Sequence, residues 1–283
     1  MDSYEQLLNG EETQNFLIQL REKTGLNFCD YATSSAARRL LRIKKHFRVA
    51  DYQELLDRLV KDPAMRIEFL DLFTVNVTEM FRDPTFYKTL IPIVESAIER
   101  LPGVKPLHVW HPACSSGEEV LSLAIALNNR RILSKVRFIG TDINERMLER
   151  ATRKLIKGRL LDEYNKAFTQ ATGDTDGIQR FFREFNKHDW QLREDVPLFA
   201  RYDFQDLTTL EWPGKGPFDL IVCRNVMIYF NLQLQNEVLT FLIDKLHLGG
   251  ILALGHKESI AFCDDARRLE ALDNDARIFR KIR

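Results

Sequence analysis

The chain has 283 residues, 45% of them hydrophobic and 29% charged, enough for one large domain or two modest ones with a sizeable core. Its 41 Lys and Arg balance 41 Asp and Glu, so no global field draws it to nucleic acid and any electrostatic recognition must be local. No apolar run approaches the roughly 18 residues that span a bilayer. Met1-Asp2-Ser3-Tyr4-Glu5 lacks the basic and apolar regions of a signal peptide. Cys29, Cys114, Cys223 and Cys263 stand too far apart for a CxxC metal site or a disulfide framework. The expectation is a cytoplasmic, reduced protein with no membrane insertion and no metal.

The first quarter is patterned as helix. Thr33, Ser34 and Ser35 offer N-caps for a helix running to about residue 47, and Asp51 does so for one through residue 59. Another is predicted from Pro63 toward residue 73, with Met65, Phe69 and Leu72 on one face. Asp83-Pro84 opens a further helix, to about residue 100, with proline in the first position that helices favour.

After Leu101-Pro102-Gly103 the pattern changes. Segments 107–110, 136–140, 218–223 and 251–255 read as short core strands. Helices beginning near Glu118, Asn144 and Asn231 lie between them, the βαβ alternation of a parallel sheet. Segments 269–272 and 276–281 flank Asp273-Asn274-Asp275 as an antiparallel hairpin at the sheet edge. From about 157 to 204 the alternation is interrupted, and 181–185, 190–193 and 198–202 are predicted as a helix end and small strands of an insertion.

The first strand leads into His111-Pro112-Ala113-Cys114-Ser115-Ser116-Gly117-Glu118-Glu119, the position that carries G-x-G-x-x-G in dinucleotide enzymes. Only Gly117 remains of those glycines, and two acids at a helix start repel a pyrophosphate. They suit a nucleoside cofactor bearing an ammonium or sulfonium, or they simply complement the helix dipole. The second strand ends in Asp142, where doubly wound folds hold ribose hydroxyls; capping the helix near Asn144 is its alternative. The strand at 218–223 is introduced by Pro213-Gly214-Lys215-Gly216-Pro217. It ends in Arg224 and Asn225, with Tyr229 shortly after, at a carboxyl end where open α/β sheets bind ligands. Together these features describe an adenosine-containing ligand, and S-adenosylmethionine fits better than NAD.

Five pieces, in order, then resemble the chemotaxis receptor methyltransferase family, the CheR-type protein-glutamate O-methyltransferases. They are Thr74-Val75-Asn76-Val77-Thr78-Glu79-Met80-Phe81-Arg82-Asp83, Cys114-Ser115-Ser116-Gly117-Glu118-Glu119, Thr141-Asp142-Ile143, Cys223-Arg224-Asn225-Val226-Met227-Ile228-Tyr229-Phe230 and Gly255-His256. The resemblance implies a Rossmann-like α/β methyltransferase domain over 81–283 with a small antiparallel β insertion at about 157–204, preceded by an all-helical substrate-recognition domain over 1–80. It implies a cofactor site of Asn76, Thr78, Arg82, Glu119 and Asp142, with Arg224 and Asn225 closing over it and a further contact at Asp206 and Leu207, where Asp206 replaces the usual Asn. Catalysis is implied to centre on Arg82 and Tyr229, for which the alternative at Tyr229 is a packed helix aromatic. Met80 replaces an aromatic, His111-Pro112 replaces small residues, and Val120-Leu121 stands where Pro-Tyr is usual.

The implied reaction is transfer of a methyl group from S-adenosylmethionine to a glutamate carboxylate, giving a γ-methyl ester and S-adenosylhomocysteine. Arg38, Arg39, Arg42, Lys44, Lys45 and Arg48 crowd one predicted helix with few acids beside them, which favours an acidic helical partner over a merely solvated face or nucleic acid. Arg38, Arg39, Arg42 and Lys45 are the expected acceptor-binding residues, and the resemblance makes that acceptor the cytoplasmic helical region of a chemoreceptor. A non-catalytic S-adenosylmethionine-binding module, or a carboxyl methyltransferase with another acceptor, is the rival expectation.

Overall fold

The structure, a computed structural model, describes residues 10–283 apart from Val104, Pro213 and Lys215. The amino-terminal reading at residues 1–5, and two residues of the turn at 213–217, lie outside the described residues. Helices come first: α1 (Gly10–Thr24), α2 (Thr33–Phe47), α3 (Tyr52–Lys61), α4 (Pro63–Phe73) and α5 (Pro84–Arg100). Two of them begin where local chemistry places them. Asp51 Oδ1 accepts the N–H of Glu54 at 2.8 Å, and Asp62 Oδ1 accepts those of Ala64 and Met65 at 2.9 and 3.2 Å, just before Pro63. At α2 the expectation fails, because Ala32 holds the cap position and Thr33 is already helical. The start is set from outside the helix: the Ala32 N–H donates to the carbonyl of Tyr229 at 2.8 Å.

The rest of the chain runs β1 (Leu107–Pro112), α6 (Glu118–Asn129), β2 (Val136–Asp142), α7 (Glu145–Thr152), β3 (Leu155–Lys157), α8 (Leu161–Thr172), β4 (Phe182–Glu184), β5 (Asp189–Leu192), β6 (Ala200–Phe204), β7 (Phe218–Cys223), α9 (Leu232–Asp244), β8 (Leu246–Leu254), β9 (Leu269–Asp273) and β10 (Ile278–Lys281). The main sheet has the order β6-β2-β1-β7-β8-β10-β9, with β3-β5-β4 forming a small second sheet. Pairing is parallel from β6 to β8 and antiparallel through β8, β10 and β9.

Two readings of the interrupted region are corrected. The strand expected at 198–202 is β6, which does not belong to the insertion: it pairs parallel with β2, Phe138 opposite Ala200 and Asp142 opposite Phe204. Strand text alone does not say which sheet a strand joins. The insertion also contains α8, whose buried stripe is only Tyr164, Phe168 and Ala171, too narrow to stand out against the polar text around it.

Side chains alternate across the sheet, as the period of two requires. Leu220 and Val222 enter a core shared with α5, α6 and α8, while Ile221 and Cys223 enter a second core with Trp110, covered by α9 and by α1–α4. The amino-terminal helices thus share a core with one face of the sheet. Among the described residues no helix is long and apolar enough to cross a membrane.

Candidate active site

Strand order reverses at β1, with β2 and β6 on one side and β7 and β8 on the other. The loops after β1, β2 and β7 therefore open onto one crevice beyond the strand ends. An open cavity lies there, bordered by Ala113 and Ser115 after β1, Asp142 and Ile143 at the end of β2, and Arg224 and Asn225 after β7.

The loop after β1 is held in an unusual conformation. Ala113, Ser115 and Gly117 have φ of 52°, 50° and 87°, two of them without the freedom of glycine. The neighbouring loop holds this shape: the N–H of Cys114 donates to the carbonyl of Thr141 at 2.9 Å and that of Ser115 to Asp142 Oδ2 at 2.7 Å. At Gly117 a Cβ would stand 3.0 Å from that of Ala151 on top of the positive φ, so glycine is required. Asp142 Oδ1 accepts the N–H of Asn144 at 2.9 Å, so this one carboxylate ties two loops and also lines the cavity. Burial raises its pKa, opposed by those backbone hydrogen bonds. The cap of α7 is supplied by Asn144 itself, which accepts from Arg146 and Met147. Asn144 Nδ2 also donates to Asp71 of α4 at 2.8 Å, and Arg146 pairs with the same carboxylate, latching the amino-terminal helices to the end of β2.

The two acids at the start of α6 part company. Glu118 is 2% exposed and its Oε2 accepts from Ser116 Oγ at 2.7 Å, away from the cavity. Glu119 lines the cavity, and its Oε1 stands 2.6 Å from Nη1 of Arg224. Burial drives the Glu119 pKa up, but the Arg224 guanidinium and then His111, whose Nδ1 is 3.8 Å away, outweigh burial and hold it below the ordinary carboxylate value. Arg224 also pairs with Asp83 at 2.7 Å and lies over the ring of Phe86, 3.9 Å from its centroid. Its side chain is 1% exposed, so it is a buried strut in the cavity wall and not a flap over the cofactor.

Residues 74–78 cross the cavity between α4 and α5 and include Asn76 and Thr78. Asn76 is held locally, its Oδ1 accepting from Thr74 Oγ1 at 3.2 Å and its Nδ2 donating to the carbonyl of Asp71 at 3.3 Å. Phe81 and Asp83, both at positive φ, flank Arg82. The Phe81 N–H donates to Ser122 Oγ of α6 at 2.8 Å. Arg82 borders the cavity and, among the described residues, makes no ion pair or side-chain hydrogen bond. The departures at Met80, His111, Pro112, Val120 and Leu121 are all buried, and none of them lines the cavity.

Tyr229 sits in a short 3-10 turn, Met227–Tyr229, and faces the cavity. Three neighbouring contacts with residues 30–32 fix its height: Ala32 to the Tyr229 carbonyl, a Tyr31–Phe230 bridge, and the Asn231 N–H to the carbonyl of Asp30 at 2.8 Å. Arg39 lies under its ring, 4.4 Å from the centroid, and donates to the carbonyl of Phe73 at 3.0 Å. Arg39 is therefore not part of the exposed patch as expected. It is 4% exposed, whereas Arg38, Arg42 and Lys45 face solvent. The signal was in the spacing, since Arg39 shares its helical stripe with buried Ala36, Leu40 and Ile43. Asp206 and Leu207 are not brought to the cavity. Asp206 Oδ1 instead accepts from the N–H and hydroxyl of Thr208 at 2.9 and 2.7 Å, capping a short turn, and Leu207 packs in the core. A groove bordered by Arg38, Arg42 and Lys45 meets the cavity at Arg39, Val75 and Tyr229.

Comparison with known proteins shows which family the chain belongs to. Residues 76–276 match the CheR methyltransferase, SAM binding domain, and residues 11–74 match the CheR methyltransferase, all-alpha domain. Cher3 of Pseudomonas putida is 33% identical over 261 residues, 92% of each chain. The chemotaxis protein methyltransferase of Listeria innocua is 30% identical over 251 residues, 87% of this chain and 88% of that one. Among solved structures, the rRNA methyltransferase aviRa from Streptomyces viridochromogenes aligns with a TM-score of 0.41 at 20% identity, over 69% of this chain and 83% of that one. The chain belongs to the CheR methyltransferase family and is an S-adenosylmethionine-dependent methyltransferase.

Proposed function

We propose that this enzyme methylates glutamate side chains on an acidic helical segment of a chemoreceptor in the cytoplasm, with the helical region up to residue 80 recognising that segment. The supporting observation is the continuity of the two depressions: Tyr229, Arg39 and Val75 border both the cofactor cavity and the basic groove. An acidic helix laid against Arg38, Arg42 and Lys45 would bring a carboxylate to Tyr229.

The cavity fits the cofactor. Asp142 offers a carboxylate for ribose hydroxyls, Val75, Ile143 and Val226 offer apolar surface, and Ser115 Oγ is buried in the wall without a partner among the described residues. When bound, S-adenosylmethionine supplies an electrophilic methyl group that leaves S-adenosylhomocysteine behind. A glutamate with a pKa of about 4.3 is already ionised at neutral pH, so no residue of this chain has to remove a proton. The work left to the protein is orientation and exclusion of water. Arg82, whose side chain has no hydrogen-bond or ion-pair partner among the described residues, would hold the acceptor carboxylate. Tyr229, seated on Arg39, is placed to align it. Opposite charges cancel as the methyl moves, so a site shielded from water favours the transfer, and what Arg82 contributes is orientation of the carboxylate rather than charge stabilisation.

Labelled methyl transfer to a chemoreceptor cytoplasmic fragment should give base-labile esters. Reversing Arg38 and Arg42 to Glu should raise KM for that fragment about fivefold to thirtyfold, the worth of two exposed charge contacts, and most at low salt. Affinity for S-adenosylhomocysteine should hold. Arg39 is left out of the reversal because it lies beneath Tyr229. Equal loss of acceptor and cofactor binding would show that the face is structural.

A further inference from the structure

One buried carboxylate beside the 224–229 segment gathers four backbone N–H groups. Glu258, 3% exposed, follows the end of β8. Its Oε2 accepts from Gly255 at 2.6 Å and Asn225 at 3.0 Å, and its Oε1 from Val226 and Met227 at 3.0 Å each. The three successive amides at 225–227 come after β7 has ended and at the start of the Met227–Tyr229 turn, where neither sheet nor helix supplies an acceptor. Among the described residues no cation pairs with Glu258, so its charge is met by peptide dipoles alone, in a nest that binds an anion. Asn225 takes a φ of 62° within it, which lets its N–H point at the same carboxylate as its neighbours.

Gly255 belongs to the same device. It has no left-handed φ, and what it lacks is room: a Cβ there would stand 2.7 Å from Glu258 Oε2, 3.0 Å from the Asn225 nitrogen and 3.3 Å from Asn225 Oδ1. The methyltransfer reading gives Gly255 no role of its own, and the clamp does.

We infer that Glu258 is a positioning residue of the transfer site, setting Asn225 and Tyr229 against the cavity through the backbone that carries them, with Gly255 keeping the space it needs. Both residues line the cavity, and Arg224 at the head of the same segment pairs with Glu119. One anchor therefore governs groups on the cofactor side and on the acceptor side. The inference rests on the 224–229 segment being part of the transfer site.

Glu258→Gln, Glu258→Asp and Gly255→Ala test it in the full chain. Glu258→Gln keeps the shape but turns an amide NH2 toward backbone donors, and Glu258→Asp keeps the charge on a shorter arm. Hydrogen exchange of the peptide covering 224–230 should accelerate at least about tenfold in Glu258→Gln and Gly255→Ala, with β7 unchanged. At temperatures well below the unfolding midpoint, kcat should fall about tenfold to a hundredfold, the cost of misplacing a reacting group. S-adenosylhomocysteine affinity should fall less than kcat, and Glu258→Asp should recover part of the loss. Wild-type exchange and kcat in folded Glu258→Gln, or a kcat loss that merely follows the unfolded fraction, would overturn the inference. Should Glu258→Gln not fold, Gly255→Ala decides by the same readouts. The exchange measurement needs no acceptor, so failure to methylate receptor fragments would sink the acceptor assignment and leave the clamp to be judged separately.

Discussion

Replacing Arg224 with Met tests the electrostatics of the cavity wall. Methionine retains a long apolar stem over the Phe86 ring, so packing is largely kept and the guanidinium is what goes. The Glu119 arm is the costly one, its side chains 1% and 15% exposed at 2.6 Å. Leaving such a charge buried without its partner costs about 3–5 kcal/mol. The Asp83 arm ends on a side chain 48% exposed and adds at most about 1 kcal/mol. Acid should shrink the deficit. In the wild type the folded Glu119 pKa lies below its ordinary 4.5, so the pair's contribution is complete above that value and is lost as pH falls through the depressed one. In Arg224→Met, burial prevails and the folded pKa moves above the ordinary value, so the variant itself loses stability as pH rises through it. The difference between the two proteins should therefore be largest near neutrality and narrow toward about pH 4. Urea unfolding followed by circular dichroism across that range measures it. A deficit under about 1 kcal/mol at neutral pH, or one that does not change with pH, refutes the reasoning.

Tyr229→Phe keeps the ring on Arg39 and should leave the unfolding midpoint close to the wild type, while kcat falls about tenfold to a hundredfold, or about 1.4–2.7 kcal/mol; unchanged turnover would make Tyr229 core packing and leave Arg82 as the sole catalytic assignment. Asp142→Asn should weaken S-adenosylhomocysteine binding about tenfold to a hundredfold by calorimetry, from the loss of charge-assisted hydrogen bonds of roughly 1.5–3 kcal/mol. Because Asp142 also holds the N–H groups of Ser115 and Asn144, its unfolding midpoint should drop too, and unchanged affinity in the folded protein would remove its cofactor role.

Much of this protein was legible wherever the signal acts within one helical turn or one strand. Asp51 and the helix start at Pro84 are local, and so is the apolar run of β7 that leads to Arg224 and Asn225. So is the small-residue loop around Gly117, whose positive φ favours glycine there. The family motifs name the same places. Other features depend on groups that meet only after the chain has folded. Glu119 finds Arg224 105 positions away, and Asp71 finds Asn144 73 positions away. β6 joins β2 across the whole insertion, so its text could not reveal that it extends the main sheet. The clamp at Glu258 has no local signature at all: a glutamate after a strand reads as solvated surface until four N–H groups, three of them more than 30 residues earlier, are brought around it. Spacing along the chain fixes which face a side chain occupies, whereas the partner that satisfies a buried charge is chosen by the packing of the sheet and helices against one another.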